Sequence, residues 1–209
     1  MLHYEAIEPK TLELLNSLMK EETFQHLRLV RGTALALQIG HRLSVDLDLF
    51  GTIHSDEFEI NNILGKNGPV KILNKTKNIL IYLVNGIKLD LVNYPYPWLE
   101  KEISKDNLRL AGLKDIAAMK LSAITGRGTK KDFIDIFFLF KFFPLATMLD
   151  FYHEKYPDGS ELLVLKSLTY FKDAEAETPP KMLHPIDWGE VKKRILKEVE
   201  GFVDLKSQT

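Results

Sequence analysis

Arg31-Gly-Thr-Ala-Leu-Ala-Leu-Gln-Ile-Gly-His-Arg-Leu-Ser-Val-Asp-Leu-Asp-Leu-Phe50 is the stretch on which the fold turns. From Ser44 to Phe50 apolar and polar residues alternate strictly. Period two predicts a strand, with Val45, Leu47 and Leu49 on an inward face and Ser44, Asp46 and Asp48 on the other. Two carboxylates on one strand face, their Cα atoms roughly 6.6 Å apart, repel each other, and Asp is a poor strand residue. A solvated strand edge is the plain reading. A divalent cation is the chemical one, because magnesium takes one or two carboxylates together with substrate phosphates.

Upstream, Leu27-Arg-Leu-Val30 predicts a short strand, and Thr33 to Ile39 a short apolar helix ended by Gly40. The order is strand, glycine, helix, strand. Gly32 lets a ligand approach the backbone, and the first N–H groups of the helix are donors without intrahelical partners. That is an anion site, with phosphate the usual anion, although Thr33 also fits a plain helix-start residue. Followed by Ser44-x-Asp46-x-Asp48, the glycine and threonine set phosphate donors beside a carboxylate pair.

These residues resemble the first motif of the AbiEii/AbiGii-type toxin nucleotidyltransferases, which lie in the polymerase-β superfamily and act in bacterial toxin–antitoxin and phage-defence systems. Arg31 stands where the family has the first of two glycines. A second block, Asp115 to Asp135, resembles the family's later motifs: a helix lysine at Lys120, an arginine-bearing turn, then Lys-Asp-x-x-Asp with Asp132 and Asp135. The resemblance implies an α/β (α+β) fold, with a polymerase-β-like mixed sheet, flanking helices and a C-terminal helical bundle. The proline-rich break at Tyr94–Trp98 and the helical run from Leu113 divide the chain into a core domain over 1–110 and a helical domain over 111–209.

The resemblance also implies a site. Asp46, Asp48 and Asp90 would hold Mg2+ or Mn2+, with Asp90 able to complete the metal site or act as base. Gly32, Thr33, Arg42 and Ser44 would contact the phosphates of an NTP. Lys120 would ride over the triphosphate, and Asp132 or Asp135 would orient Lys120, the acceptor or the sugar. The expected reaction is nucleotidyl transfer to an RNA, tRNA or protein acceptor, with a winged-helix antitoxin as partner. A small-molecule, antibiotic-type nucleotidyltransferase and a nucleotide-binding module without turnover are the alternatives.

Outside these motifs, helical spacing runs from Pro9 to His26, and a helix is expected from Ser55 or Asp56 to Leu64. Asn85-Gly86, between Asn78–Val84 and Ile87–Val92, is a strong hairpin signal. Asp90 lies among apolar residues of that hairpin, where an unpaired carboxylate is costly; a partly exposed strand aspartate is the alternative. A sheet of four or five strands follows. The prolines of Tyr94-Pro-Tyr-Pro-Trp98 end the strand pattern. Helices are then expected over 113–124, 132–143, 145–156, 162–171 and 187–202, with an exposed acidic connector at 173–180. Asp132 and Asp135 share a helix face, and Thr129 with Asp132 also fits a helix start.

The 209 residues carry 28 Lys and Arg against 29 Asp and Glu, a net charge of −1, so no global basic field draws the chain to nucleic acid. With no cysteine, disulfides and Cys-based zinc sites are excluded and a reducing compartment is expected. The N-terminus lacks a signal-peptide pattern and no apolar run reaches ~18 residues, so the expectation is a cytoplasmic protein with no membrane span.

Overall fold

The computed structural model describes residues Met1–Ser207, in two compact units. One comprises Met1–Tyr96 and Lys101–Gly112; the other comprises Pro97–Glu100 and the chain from Leu113 onward.

The first unit is a seven-stranded mixed sheet in the order β3-β4-β5-β2-β1-β7-β6. The strands are β1 (Leu27–Leu29), β2 (Leu47–Gly51), β3 (Val70–Lys75), β4 (Ile79–Val84), β5 (Ile87–Asn93), β6 (Ile103–Lys105) and β7 (Leu108–Leu110). β2 runs parallel to β5 and β1 parallel to β7; the other neighbours are antiparallel. Three helices, α1 (Pro9–Lys20), α2 (Arg31–Ile39) and α3 (Glu57–Gly65), pack against β7, β2 and β3 respectively. Leu29, Leu49, Leu89, Leu91 and Leu110 are fully buried, as are Leu15 and Leu18 of α1, Leu35 and Leu37 of α2, and Ile60 and Leu64 of α3. Removing these leucine and isoleucine side chains from water, at ~1.5–3 kcal/mol each, is the main force joining helices to sheet.

Local chemistry sets the element ends. Gly40 closes α2 in the left-handed region (φ 64), its N–H donating to Ala36 O at 2.8 Å. Asp56 caps α3, accepting from Glu59 N at 2.9 Å. Asn85 and Gly86 both have positive φ (48 and 83), as the tight hairpin turn requires.

Several expectations are corrected. The strand expected from Ser44 begins at Leu47, and Val45 is 44% exposed instead of inward-facing. Ser44 instead makes an isolated bridge to Ile7. The helix from Pro9 ends at Lys20, followed by a 3-10 turn at Glu22–Phe24. The sheet is wider than four or five strands because Ile103–Lys105 and Leu108–Leu110 form a second hairpin, turned by Asp106 and Asn107 at φ 51 and 63. Its strands are three residues each, too short to show alternation.

The second unit holds α4 (Leu113–Gly126), α5 (Lys130–Leu139), α6 (Leu145–Lys155), α7 (Glu161–Leu168), α8 (Lys172–Glu175) and α9 (Trp188–Ser207). α5 stops at Leu139 instead of Phe143, and Pro144 caps α6. The acidic connector is engaged: Glu177 accepts from Lys130 N at 2.7 Å, and Lys130 Nζ donates to the carbonyl of Glu175 at 3.1 Å. No helix among the described residues is long and apolar enough to cross a membrane.

Candidate active site

The parallel pairing of β2 with β5 sets Asp48 directly opposite Asp90. Partners in register share a sheet face, so both carboxylates project from the side opposite Leu49 and Leu91. Their side chains are 13% and 9% exposed. Two nearly buried like charges are costly unless cations sit with them, and here two do. Arg31 Nη1 donates to Asp48 Oδ1 at 2.9 Å and lies 3.5 Å from Asp90 Oδ2. Lys88 Nζ donates to Asp90 Oδ1 at 2.6 Å. Burial pushes the Asp90 carboxyl above its ordinary range; the bond from Lys88 opposes this, the Asp48 charge reinforces it, and the charges of Lys88 and Arg31 oppose it again.

Arg31 reaches this position from the first residue of α2. Its backbone is left-handed (φ 57), unusual for a residue with a Cβ. The guanidinium carbon lies 4.6 Å from the centroid of the Phe50 ring, on the same sheet face as Asp48. In sequence Arg31 reads as a departure from a glycine motif. In space it is the cation of the carboxylate pair.

Asp46 lies just ahead of β2, half-buried, and its carbonyl accepts a hydrogen bond from the Thr33 hydroxyl. Thr33 and Ser44 are buried, with their hydroxyls 2.8 Å apart, and Arg42 Nη1 donates to Ser44 Oγ at 3.4 Å. Gly32 is buried in the first turn of α2. The four residues assigned to phosphate by resemblance therefore share one region. Three of them spend side-chain donors on tying the start of α2 to the approach to β2.

In the helical unit, Lys120 is buried with its Nζ 2.8 Å from Asp132 Oδ1 and 2.5 Å from Asp135 Oδ2. Both aspartate side chains are completely buried. Asp132 also accepts from Arg127 Nε at 3.0 Å and from the Thr129 hydroxyl at 2.5 Å. Thr129 stands at the N-cap of α5, but its hydroxyl serves the carboxylate and not a backbone N–H. Burial alone would raise the Asp132 carboxyl; the charges of Lys120 and Arg127 and the bonds from Lys120 and Thr129 outweigh it and hold the group well below the usual carboxylate range. The exposed charge of this cluster is Arg127, whose side chain is 47% accessible. It lines a pocket of about 370 Å³ with Lys166, Ser167 and Tyr170.

A second buried pair went unread in the sequence. Lys155 Nζ donates to Asp115 Oδ1 at 2.7 Å and to the carbonyl of Pro97 at 2.5 Å, and it lies 4.8 Å from the Trp98 ring centroid. Asp115 also accepts from the backbone N–H groups of Leu99 and Glu100 at 3.0 and 3.3 Å. The signal was an acid in the first turn of a helix, which is common enough to pass as ordinary helix chemistry.

Among the described residues no three Asp, Glu, His or Cys side chains converge to hold a metal. Asp48 and Asp90 are a pair: one guanidinium nitrogen lies within 3.5 Å of an oxygen of each. Hard oxygen donors in a pair, with water and phosphate to complete the shell, suit magnesium or manganese. The residues fit the ion as a two-carboxylate site.

Comparison with known proteins gives one relative in sequence and several in structure. No protein-family model matches the sequence. The chain is 36% identical over 182 residues to the uncharacterized protein aq_aa25 of Aquifex aeolicus, covering 84% of this chain and 87% of that one. Its structure is similar to that of JHP933 from Helicobacter pylori, with a TM-score of 0.58 at 17% identity, over 100% of this chain and 96% of the other. It is also similar to MenT4, the nucleotidyltransferase toxin Rv2826c from Mycobacterium tuberculosis H37Rv, with a TM-score of 0.57 at 16% identity over 89% and 79% of the two chains. At these identities the likeness is one of fold, a fold shared with solved nucleotidyltransferases.

Proposed function

We propose that this chain, which belongs to the family of the Aquifex aeolicus protein aq_aa25, is a metal-dependent nucleotidyltransferase. It moves a nucleotidyl group from a nucleoside triphosphate to an RNA, tRNA or protein acceptor, as the toxin of a bacterial toxin–antitoxin system of the AbiEii kind. The observation that carries the reading is the carboxylate pair Asp48 and Asp90, in register on two parallel strands, with the start of α2 at Arg31 and Gly32 beside them, two residues earlier than the helix expected from Thr33. The likeness in fold to a toxin nucleotidyltransferase supports it.

Asp48 and Asp90 would hold the metal, and Asp46, expected from the sequence as a third ligand, does not converge with them. When bound, Mg2+ or Mn2+ offsets charge on the phosphates and on the departing pyrophosphate. The start of α2, at Gly32 and Thr33, offers backbone donors to the phosphate chain, and the Ser44 and Arg42 contacts hold that start in place. Phosphoryl transfer asks mainly for positioning and charge neutralisation. Lys120, Asp132 and Asp135 enter as positioning residues that hold Arg127 and the α4–α5 turn. A winged-helix antitoxin is the partner this role calls for.

The test is transfer of label from each of the four α-32P nucleoside triphosphates to total RNA, to protein and to a panel of small hydroxylated acceptors, with Mg2+ or Mn2+. Label on RNA or protein, lost in Asp48→Asn, is the expected result. Label confined to small molecules would move the chain to the antibiotic-modifying class. Nucleotide binding without label in any fraction would make it a binding module, a reading favoured by the guanidinium standing between the carboxylates.

A further inference from the structure

The space between Asp48 and Asp90 is taken by a side chain of this same protein. Arg31 Nη1 is 2.9 Å from one carboxylate and 3.5 Å from the other, with the guanidinium against the Phe50 ring. The Arg31 side chain is only one-third exposed, and its backbone adopts a left-handed conformation to deliver it there. A left-handed non-glycine residue is strained, and the charge pairing offsets that strain.

We propose that Arg31 is the built-in counter-ion of the Asp48–Asp90 pair and that a divalent cation must displace it in order to bind. The inference rests on the reading of that pair as the metal site. One positive group and one metal ion compete for the same two oxygens, so the metal alone binds weakly. A displaced guanidinium needs a new anion. Phosphate oxygens suit its planar fork of donors, so nucleotide binding takes up the displaced side chain and strengthens metal binding. Metal loading and nucleotide loading become thermodynamically linked through one residue. Lys88 stays on Asp90 through the exchange: it bonds Oδ1, whereas Arg31 approaches Oδ2.

The experiment titrates Mn2+ into the full chain without nucleotide, following water-proton relaxation, for wild type, Arg31→Gly, Arg31→Asn and Asp48→Asn. Glycine and asparagine both tolerate the left-handed backbone, and near-ultraviolet dichroism verifies each fold. Both Arg31 variants are expected to bind Mn2+ about tenfold or more tightly than wild type, and Asp48→Asn to lose the binding. A non-hydrolysable α,β-methylene triphosphate should then strengthen Mn2+ binding in wild type by a larger factor than in Arg31→Asn. On wild type itself, the Arg31 Nε–H resonance should move as Mg2+ saturates the site, a readout that needs no variant to fold. Equal Mn2+ affinity in wild type and the Arg31 variants, with binding still lost in Asp48→Asn, would overturn the counter-ion proposal and leave the metal site standing. Mn2+ binding indifferent to Asp48 in every protein, with or without the analogue, would overturn the site reading itself.

Discussion

Asp48 and Asp132 are both nearly buried carboxylates paired to cations, yet they are paired for different ends. Asp48 borders solvent at 13% exposure and shares its cation with a second acid; Asp132 is completely enclosed and receives donors from Lys120, Arg127 and Thr129. Asp48→Asn should abolish nucleotidyl transfer, by about 10² or more, while the melting temperature falls little, because the variant removes one charge of a repelling pair. Transfer assays and melts on one preparation read both effects. Asp132 gives a pH prediction. Its carboxyl is held well below the usual range in the folded protein, so its stabilisation is complete above the unfolded value of about 3.9 and drains away as pH falls below it. Urea titrations between about pH 5 and pH 2 should show a stability slope that is shallower in Asp132→Asn than in wild type. Lys120→Ala, which takes a buried cation from two buried aspartates, should cost about 3–5 kcal/mol of stability by the same titration. A variant that loses transfer with no loss of stability would return Lys120 to the role of a phosphate ligand.

At the scale of elements, α2 carries the site because both of its ends are tied. Its start is held through Thr33, whose hydroxyl meets Ser44 at 2.8 Å and also the Asp46 carbonyl. Its end is held by Gly40, in the left-handed region and so close to His3 that an added Cβ would lie 2.6 Å from the imidazole Nδ1. Gly40→Ala should destabilise the chain by about 1–2 kcal/mol from backbone strain alone, with the His3 contact adding to it; denaturant unfolding measures the sum. Thr33→Val keeps the shape but removes the hydroxyl from which the Asp46 carbonyl accepts, a cost of about 1–3 kcal/mol. Since that carbonyl precedes the site strand, Mn2+ affinity should fall along with stability.

For the whole molecule, the buried Asp115–Lys155 pair commits charge to structure. Both side chains are fully buried, and the carboxylate also ties down the backbone of Leu99 and Glu100. The segment Pro97–Glu100 thereby belongs to the helical unit although the residues on either side of it belong to the sheet unit. Asp115→Asn leaves a buried lysine without its carboxylate and should cost about 3–5 kcal/mol. Limited proteolysis should then cut near Tyr94–Trp98 faster than in wild type, and unchanged cleavage would argue that other contacts hold the segment.

Local order was enough to read the strand–glycine–helix–strand start, the Asn85-Gly86 hairpin and the helical run after Leu113, because period-two alternation, a positive-φ turn pair and long apolar helices are properties of neighbours in the chain. It was enough, too, to single out Asp46, Asp48 and Asp90 as candidates, since a carboxylate in an apolar strand calls for a partner wherever the strand lies. Which partner it has is a matter of register. Asp48 meets Asp90 because β2 and β5 pair in parallel across 42 residues of chain, a match set by how Leu47, Leu49, Leu89 and Leu91 bury together. The β6–β7 hairpin was invisible because two three-residue strands carry no periodicity; its pairing with β1 and the packing of α1 on β7 give it a place. Among the cations, Lys120 was legible, since a lysine in an apolar helix calls for an anion and Asp132 and Asp135 share the facing helix. Arg31 and Lys155 were not: only the fold decides that one stands between two carboxylates at the sheet surface while the other is sealed against Asp115 in the interior. Charge pairing in a low-dielectric setting depends on distances of a few ångströms, and those are set by tertiary packing.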